Sequence, residues 1–180
     1  RANQLSGYEI FILLLSIHFH DVGNVLGREG HEEKIEEIFV SLGDKIPLDY
    51  TAKRLIRDIA MAHGGKIDGD KDTISKLQEL IHIDGLPIRA ALIASLLRYA
   101  DEIADDKNRA SSFLLEVGAI PESNKIFHEY SKALEPPVIV GDTLQLQYYI
   151  TQNQVLEKTT KYGDKVFLYD EILLRIQKCL

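Results

Sequence analysis

The sequence predicts a mostly α-helical protein, with a helical bundle over residues 1–135 and a small α+β extension over residues 136–180. Two patterns carry this prediction. Apolar residues recur every three or four positions through most of the first part, and they alternate with polar residues in one segment of the second. The chain has 180 residues, of which 45% are hydrophobic, so it can bury a core of its own. The extension is too short to fold alone, and we expect it to pack on the bundle.

The first two helices have clear sequence signals. Ser6 and Glu9 have the spacing of a capping box, which predicts a helix over Gly7–Phe19. That segment is apolar on nearly every side, so we expect it to be central and buried. Glu32–Leu42 has a single apolar stripe followed by a glycine, which predicts an amphipathic second helix.

The middle of the chain predicts three more elements. A third helix opens at Asp49 or Thr51 and ends at the glycines of a polar loop, residues 64–72. A short helix is predicted over Ile74–Ile81. A long helix is predicted over Pro87–Ala104, because proline is well suited to the first turn of a helix.

The C-terminal part mixes helix and strand. A helix is predicted over Glu122–Leu134, and Val138–Val140 is a short β-branched run. Thr143–Thr151 alternates strictly, which is typical of a strand, and Gly141 with the following aspartate can turn a hairpin into it. A closing amphipathic helix has an apolar residue at every fourth position, namely Leu168, Ile172, Ile176 and Leu180.

Composition excludes several classes of protein. The 21 basic and 28 acidic residues give a net charge of −7, which argues against nucleic acid as the main ligand. Cys179 is the only cysteine, so disulfide scaffolds and cysteine-rich zinc clusters are excluded. The apolar run Ile10–Ile17 is far shorter than the roughly 20 residues that cross a bilayer. No targeting signal is visible, and we expect a cytoplasmic protein that does not contact a membrane.

Candidate metal ligands stand at or near the ends of predicted helices. His20 and Asp21 end the first helix, His31 opens the second, His63 ends the third and Asp101 lies near the end of the long helix. Imidazole and carboxylate groups are ligands of transition metals, and a bound metal can activate water at neutral pH. Acidic groups at a helix C-terminus are opposed by the helix dipole, so the acidic run at Asp101 needs compensation, either from Lys107 and Arg109 or from a bound cation.

Two motifs resemble the HD-domain metal-dependent phosphohydrolase superfamily, which is all-helical. LSIHFHDVGN, residues 15–24, is similar to the family's His-Asp motif, and LLRYADEIADDKNR, residues 96–109, is similar to its last metal-binding helix. The resemblance covers about residues 5–109. It implies hydrolysis of a phosphoester, often a nucleotide, by water activated at one or two divalent ions: Mn, Fe, Co, Ni, Zn or Mg.

The resemblance also implies roles for individual residues. His20, Asp21 and Asp101 would bind the first metal, and His31 and His63 would complete a second site with Asp21 bridging. We expect their side chains to converge in one cleft. Asp21 and His63 are also the residues that we expect to act in catalysis.

The chain departs from the family's pattern at two positions. Members have a histidine on a helix before the His-Asp motif, and nothing before Leu5 can supply it. His18 lies on another side of its helix from His20 and is no substitute. Many members have lysine where this chain has Asn24, so Lys66 or Arg28 is expected to contact the phosphate instead.

Three functions remain open at this point. The residues retained favour a metal-dependent phosphohydrolase, whereas the two departures favour a module that binds a nucleotide or serves as a scaffold without catalysis. A nuclease is the third, and the acidic charge argues against it. The chain begins at Arg1 and its only methionine is Met61, so we expect it to be part of a longer protein with further domains.

Overall fold

The structure is a computed structural model, and it is mostly helical with small strand pairs, as predicted. It describes residues 4–27, 30–64, 72–104, 107, 117–118, 120–151, 158–159 and 165–179. Contacts divide the chain into two compact units, Arg1–Ala100 and Asp101–Leu180. The domain boundary near residue 135 stays a prediction, since the contacts place their division earlier.

Helix α1 spans Gly7–Phe19, and the predicted capping box is present. The Ser6 hydroxyl accepts a hydrogen bond from the Glu9 backbone at 3.1 Å, while the Glu9 carboxylate accepts one from the Ser6 backbone at 2.7 Å. The helix is buried on one side only, at Ile12 and Ser16. Its other side is exposed, with Leu14 reaching 54%, so the expectation of a fully buried central helix is wrong.

Among the residues that the structure describes, one helical stretch is long and apolar enough to cross a membrane. It is Gly7–Leu26, which continues α1 into the next turn and contains an 18-residue window with a mean hydropathy of 1.4. Core helices of other proteins pass the same test of length and composition, so this finding is weak evidence for a membrane span.

Two further helices pack with α1 to form the first unit's core. A short 3₁₀ helix, Val22–Leu26, leads to α2, His31–Leu42. After a 3₁₀ turn at Gly43–Lys45, α3 spans Tyr50–Ala62, and its cap is Asp49, whose carboxylate accepts from the Ala52 backbone at 2.9 Å. Fully buried isoleucines from several elements meet in this core: Ile12, Ile35, Ile56, Ile59, Ile88 and Ile93.

The short helix predicted over Ile74–Ile81 is wrong, because residues 74–80 form turns and bends and a hairpin begins at Ile81. Strands β1, Ile81–Ile83, and β2, Leu86–Ile88, pair around Asp84 and Gly85, which both have positive φ. An Asp-Gly pair in this conformation makes the tight turn that a right-twisted hairpin prefers. The pairing places Ile81 opposite Ile88 and puts the proline at 87 in a strand, so α4 begins later, at Ala90, and ends at Ile103.

The second unit contains the remaining helices and strands. Helix α5 is Glu122–Ala133, and β3, Val138–Val140, pairs with β4, Thr143–Gln145, in the predicted hairpin. The strand is shorter than the alternation suggests. Two more strands, Lys158–Thr159 (β5) and Lys165–Val166 (β6), also pair, and α6 spans Leu168–Cys179. The unit's core is formed by Tyr130, Ala133, Leu134, Leu168 and Ile172.

Candidate metal centre

The first unit brings four of the predicted site residues together. Asp21 follows α1 and stands at the start of the 3₁₀ helix. His20 is the C-cap of α1, His31 is the first residue of α2, and His63 is the C-cap of α3. Each side chain therefore leaves from a helix end, where it can reach across to the neighbouring elements.

Three imidazole rings point their Nε2 atoms towards the Asp21 carboxylate. Nε2 of His31 lies 3.1 Å from Oδ1, and Nε2 of His63 lies 3.9 Å from the same oxygen. Nε2 of His20 lies 3.5 Å from Oδ2. Two ligands that sit about 2.0–2.2 Å from one ion are at most about 4.4 Å apart. Each carboxylate–imidazole spacing is therefore compatible with a shared divalent ion.

Asp21, His31 and His63 form the tightest part of this cluster. Each offers one ligand atom, and these atoms all lie within 4.8 Å of one another. The His63 ring packs edge-on against His20, with centroids 4.9 Å apart, and against His31 at 5.6 Å. The His63 ring therefore contacts both of the other rings next to the Asp21 carboxylate.

The Nδ1 atoms of the three rings all face acceptors. Nδ1 of His20 donates to the Ile17 carbonyl at 2.7 Å, and Nδ1 of His63 donates to the Ala60 carbonyl. Nδ1 of His31 lies 3.3 Å from a carboxylate oxygen of its neighbour, Glu32. A neutral imidazole that carries its proton on Nδ1 presents a lone pair at Nε2. The rings are therefore oriented as metal ligands, with Nε2 towards Asp21.

The cluster has a buried floor and an open side. The His63 side chain is 5% exposed, and those of His31 and His20 are 17% and 20% exposed. The Asp21 side chain is 52% exposed. A small ligand can therefore approach the cluster from the carboxylate side.

Contacts to its backbone atoms hold the loop that carries Asp21 against α2. Gly23 is buried where the 3₁₀ helix meets the start of α2. At the other end of the 3₁₀ helix, the Lys34 ammonium donates to the carbonyls of Leu26 and Gly27 at 3.2 and 3.0 Å. These contacts fix Asp21 relative to His31, since the two residues flank the same short connection.

Three further residues were predicted for this site. Asp101 lies in the last turn of α4 and is the first residue of the second unit. Arg28 and Lys66, the predicted phosphate contacts, lie outside the described residues. The roles of all three stay predictions, as do the roles of the clustered residues as ligands.

Sequence reasoning missed the residues that support the cluster. Glu32 and Lys34 are charged residues of the kind found on any solvent-exposed helix face, so the sequence does not predict their contacts to the site. Gly64 was predicted only as the end of α3, yet a Cβ there would lie 2.2 Å from Cγ of Glu32. The signals that the sequence offered were the His-Asp pair with His31 and His63, and the acidic run at Asp101.

Comparison with known proteins agrees with an HD-type domain. A family model described as HD-CE matches residues 1–178, which is nearly the whole chain. No curated protein and no solved structure gives a significant match.

Proposed function

Because the chain belongs to the HD-CE family, we propose that it is a divalent-metal-dependent phosphohydrolase that acts on a phosphoester. Nucleotides are the proposed substrate class and the cytoplasm the proposed location. The proposed partners are the small phosphoester itself and other domains of a longer chain, with neither a membrane nor a nucleic acid as a principal partner.

One observation carries the proposal: three imidazoles aim Nε2 at one carboxylate while their Nδ1 atoms face acceptors. A set of imidazole nitrogens with a carboxylate oxygen suits Zn, Mn, Fe, Co or Ni better than Mg, which prefers oxygen ligands. The donors present therefore fit a transition metal. With one or two ions bound, His20, Asp21 and Asp101 are the proposed ligands of the first, and Asp21, His31 and His63 are the proposed ligands of the second.

The two proposed catalytic residues, His63 and Asp21, differ in burial, and we propose different roles for them. A divalent ion bound here would supply a water of lowered pKa, near 7, and so a nucleophile at neutral pH. The buried His63 ring is held by the Ala60 carbonyl, so it keeps Nε2 fixed. The half-exposed Asp21 carboxylate is the member of the cluster that meets solvent and can accept a proton from water.

The second candidate is a module of the same fold without catalysis. It is favoured by the short His31–Asp21 contact of 3.1 Å, which joins an imidazole and a carboxylate directly and can stabilise the loop by itself. In that case the cluster is a structural network, and Asp21 is its acceptor.

Metal content and hydrolysis, measured on the same preparations, test the proposal. The protein is loaded with Mn²⁺ or Zn²⁺, dialysed and analysed for bound metal per chain. Hydrolysis is followed with bis(p-nitrophenyl) phosphate and then with nucleotides, nucleic acid serving as the test for nuclease activity. We expect bound metal and hydrolysis in the wild type, and neither in Asp21→Ala.

His82→Ala is the matched control, because His82 is an exposed histidine on β1 in the same unit. This variant should retain both the bound metal and the hydrolytic activity of the wild type. A wild type that binds metal without hydrolysing any of these substrates supports the module without catalysis. A wild type that binds no metal contradicts the proposed function altogether.

A further inference from the structure

Glu32 makes an unusual contact with its neighbour in the sequence. Its Oε2 atom lies 3.3 Å from Nδ1 of His31, and its side chain is only 20% exposed. Adjacent residues on a helix point in different directions and do not normally face each other. The Glu32 side chain must therefore bend back across the first turn of α2 to reach the imidazole.

Gly64 provides the space for this bent side chain. A Cβ at position 64 would lie 2.2 Å from Cγ and 2.6 Å from Oε1 of Glu32, which is closer than real Cβ contacts allow. The φ angle of Gly64 is not in the left-handed region, so its backbone conformation does not require glycine. Glycine at this position is therefore explained by the close approach of Glu32.

The position of His31 in its helix explains why the acceptor near its Nδ1 differs in kind from those of His20 and His63. His20 and His63 are C-caps, and each donates to the carbonyl three residues earlier, which belongs to the last turn of its own helix. Carbonyls in the last turn of a helix can accept from a side chain, and the Ala60 carbonyl does so although it also accepts from the His63 backbone. His31 is the first residue of α2, so no earlier turn of that helix exists to offer a carbonyl.

We infer that Glu32 is a positioning residue of the metal centre: its carboxylate accepts the Nδ1 proton of His31 and keeps Nε2 directed at Asp21. The inference rests on the proposed function, since it assigns a task at the same site. A carboxylate on the far nitrogen of a ligating histidine fixes the ring and raises its basicity as a ligand. Gly64 is part of the same arrangement, because the absence of a side chain at position 64 leaves room for the side chain of Glu32.

The first test compares metal affinity among variants of α2. Zn²⁺ binding is measured by calorimetry for the wild type, Glu32→Ala, Glu32→Gln and the control Glu33→Gln. Glu33 is exposed and adjacent, so it reports the loss of one negative charge from the same turn. We expect Glu32→Ala to weaken binding by about 10- to 100-fold. Glu32→Gln should lose less, because its amide oxygen still accepts, and Glu33→Gln should bind as the wild type does.

Gly64→Ala provides an independent route to the same effect. The atoms that its Cβ would meet belong to a flexible side chain, so Glu32 should move away while the backbone stays in place. Gly64→Ala should weaken Zn²⁺ binding about as much as Glu32→Ala does. The double variant should be no weaker than either single one, because both remove the same contact. Additive losses would contradict the inference.

A second readout separates this inference from the proposed function. Long-range ¹H–¹⁵N NMR spectra of the metal-free protein show which ring nitrogen of His31 carries the proton at a fixed pH. The spectra are recorded in the Asp21→Ala background, because in the metal-free wild type the Asp21 carboxylate lies 3.1 Å from Nε2 and competes for the same proton. In that background we expect the proton on Nδ1 with and without Glu33→Gln, and its shift towards Nε2 when Glu32→Ala is added. If the wild type binds no metal, the proposed function fails, but the NMR result still decides the role of Glu32. An unchanged proton position in Glu32→Ala would overturn that role.

Discussion

The backbone carbonyl of His31 occupies the space that a side chain at Gly23 would need. A Cβ built on Gly23 lies 1.9 Å from this oxygen and 2.8 Å from its carbon. The 3₁₀ helix after α1 and the first residue of α2 are therefore in direct backbone contact. Because Asp21 precedes the 3₁₀ helix, the same contact sets the distance between Asp21 and His31.

Replacing Gly23 should damage both the fold and the site. Unlike Glu32 beside Gly64, the group facing Gly23 is backbone and cannot rotate away. We expect Gly23→Ala to lower the free energy of unfolding by about 1–3 kcal/mol or more, as overpacked sites do. The shift of α2 away from Asp21 should also weaken metal binding. Urea unfolding with a metal titration measures both effects.

Gly7→Ala is the matched control for this prediction. Gly7 is the first residue of α1, and a Cβ there meets nothing within 4 Å. Alanine is the better helix former, so the variant should be as stable as the wild type or more stable by up to about 1 kcal/mol. Equal effects of the two substitutions would contradict the role assigned to Gly23.

The elements that the sequence predicted well are those whose signals are local. The capping box of Ser6 and Glu9 lies within one turn, and the cap of α3 by Asp49 is equally local. The apolar spacing of Ile74–Ile81 suggested a helix, but residues 74–80 form turns and bends, and the hairpin around Asp84 and Gly85 follows them. Apolar residues of that segment do pack on the core without forming a helix, so spacing alone was not decisive.

The site was predictable only in part, for a related reason. His20, Asp21, His31 and His63 stand at helix ends, and helix ends can be read from the sequence. The contact between Glu32 and Gly64 depends on how α2 crosses α3, and no local pattern encodes it.

Removal of the Asp21 carboxylate should affect metal-dependent stability rather than intrinsic stability. Its side chain is half-exposed, and exposed ion pairs contribute about 0–1 kcal/mol. In a chelator, Asp21→Ala should therefore unfold within about 1 kcal/mol of the wild type. With free metal at 100 times its dissociation constant, the wild type should gain about 2.7 kcal/mol and the variant almost nothing.

Asp44→Ala serves as the control for this measurement, since Asp44 is an exposed aspartate in the 3₁₀ turn after α2. It should gain the same stability from metal as the wild type. If Asp21→Ala instead loses more than about 2 kcal/mol in chelator and still responds to metal, its carboxylate is a structural acceptor.

Asp101 can be tested against its neighbour on α4. If it is a metal ligand, Asp101→Asn should weaken metal binding by about tenfold or more, whereas Glu102→Gln should leave it unchanged. Both residues lie in the last turn of the helix, so both variants relieve the same repulsion with the helix dipole. Calorimetric titration with Zn²⁺ separates the two. Equal affinities would exclude Asp101 from the site.

A buried ion pair joins the start of α1 to the start of α4. The Glu9 side chain is 3% exposed, and its two oxygens accept from Nε and Nη2 of Arg89 at 2.8 and 2.9 Å. The Arg89 backbone donates to the same carboxylate at 3.1 Å. These bonds, with Arg89 the largest cause, lower the pKa of Glu9 from 4.5 to about 2, even though burial acts in the opposite direction.

This pair should make the fold sensitive to acid. A carboxylate whose pKa is lower in the folded than in the unfolded state contributes its full stability above the unfolded pKa, here about 4.5. That stability falls as the pH drops from 4.5 towards 2, where the folded-state carboxylate also takes up a proton. Glu9→Gln should lower the free energy of unfolding by about 2–3 kcal/mol at neutral pH, because it leaves Arg89 without its charged acceptor.

Urea unfolding between pH 6 and pH 2.5 measures this effect. The free energies of unfolding of the wild type and of Glu9→Gln should approach each other as the pH falls. Glu37→Gln, at an exposed glutamate of α2, is the control, and its free energy of unfolding should differ from that of the wild type by the same amount at every pH. Parallel curves for Glu9→Gln would mean that the pair does not govern acid stability.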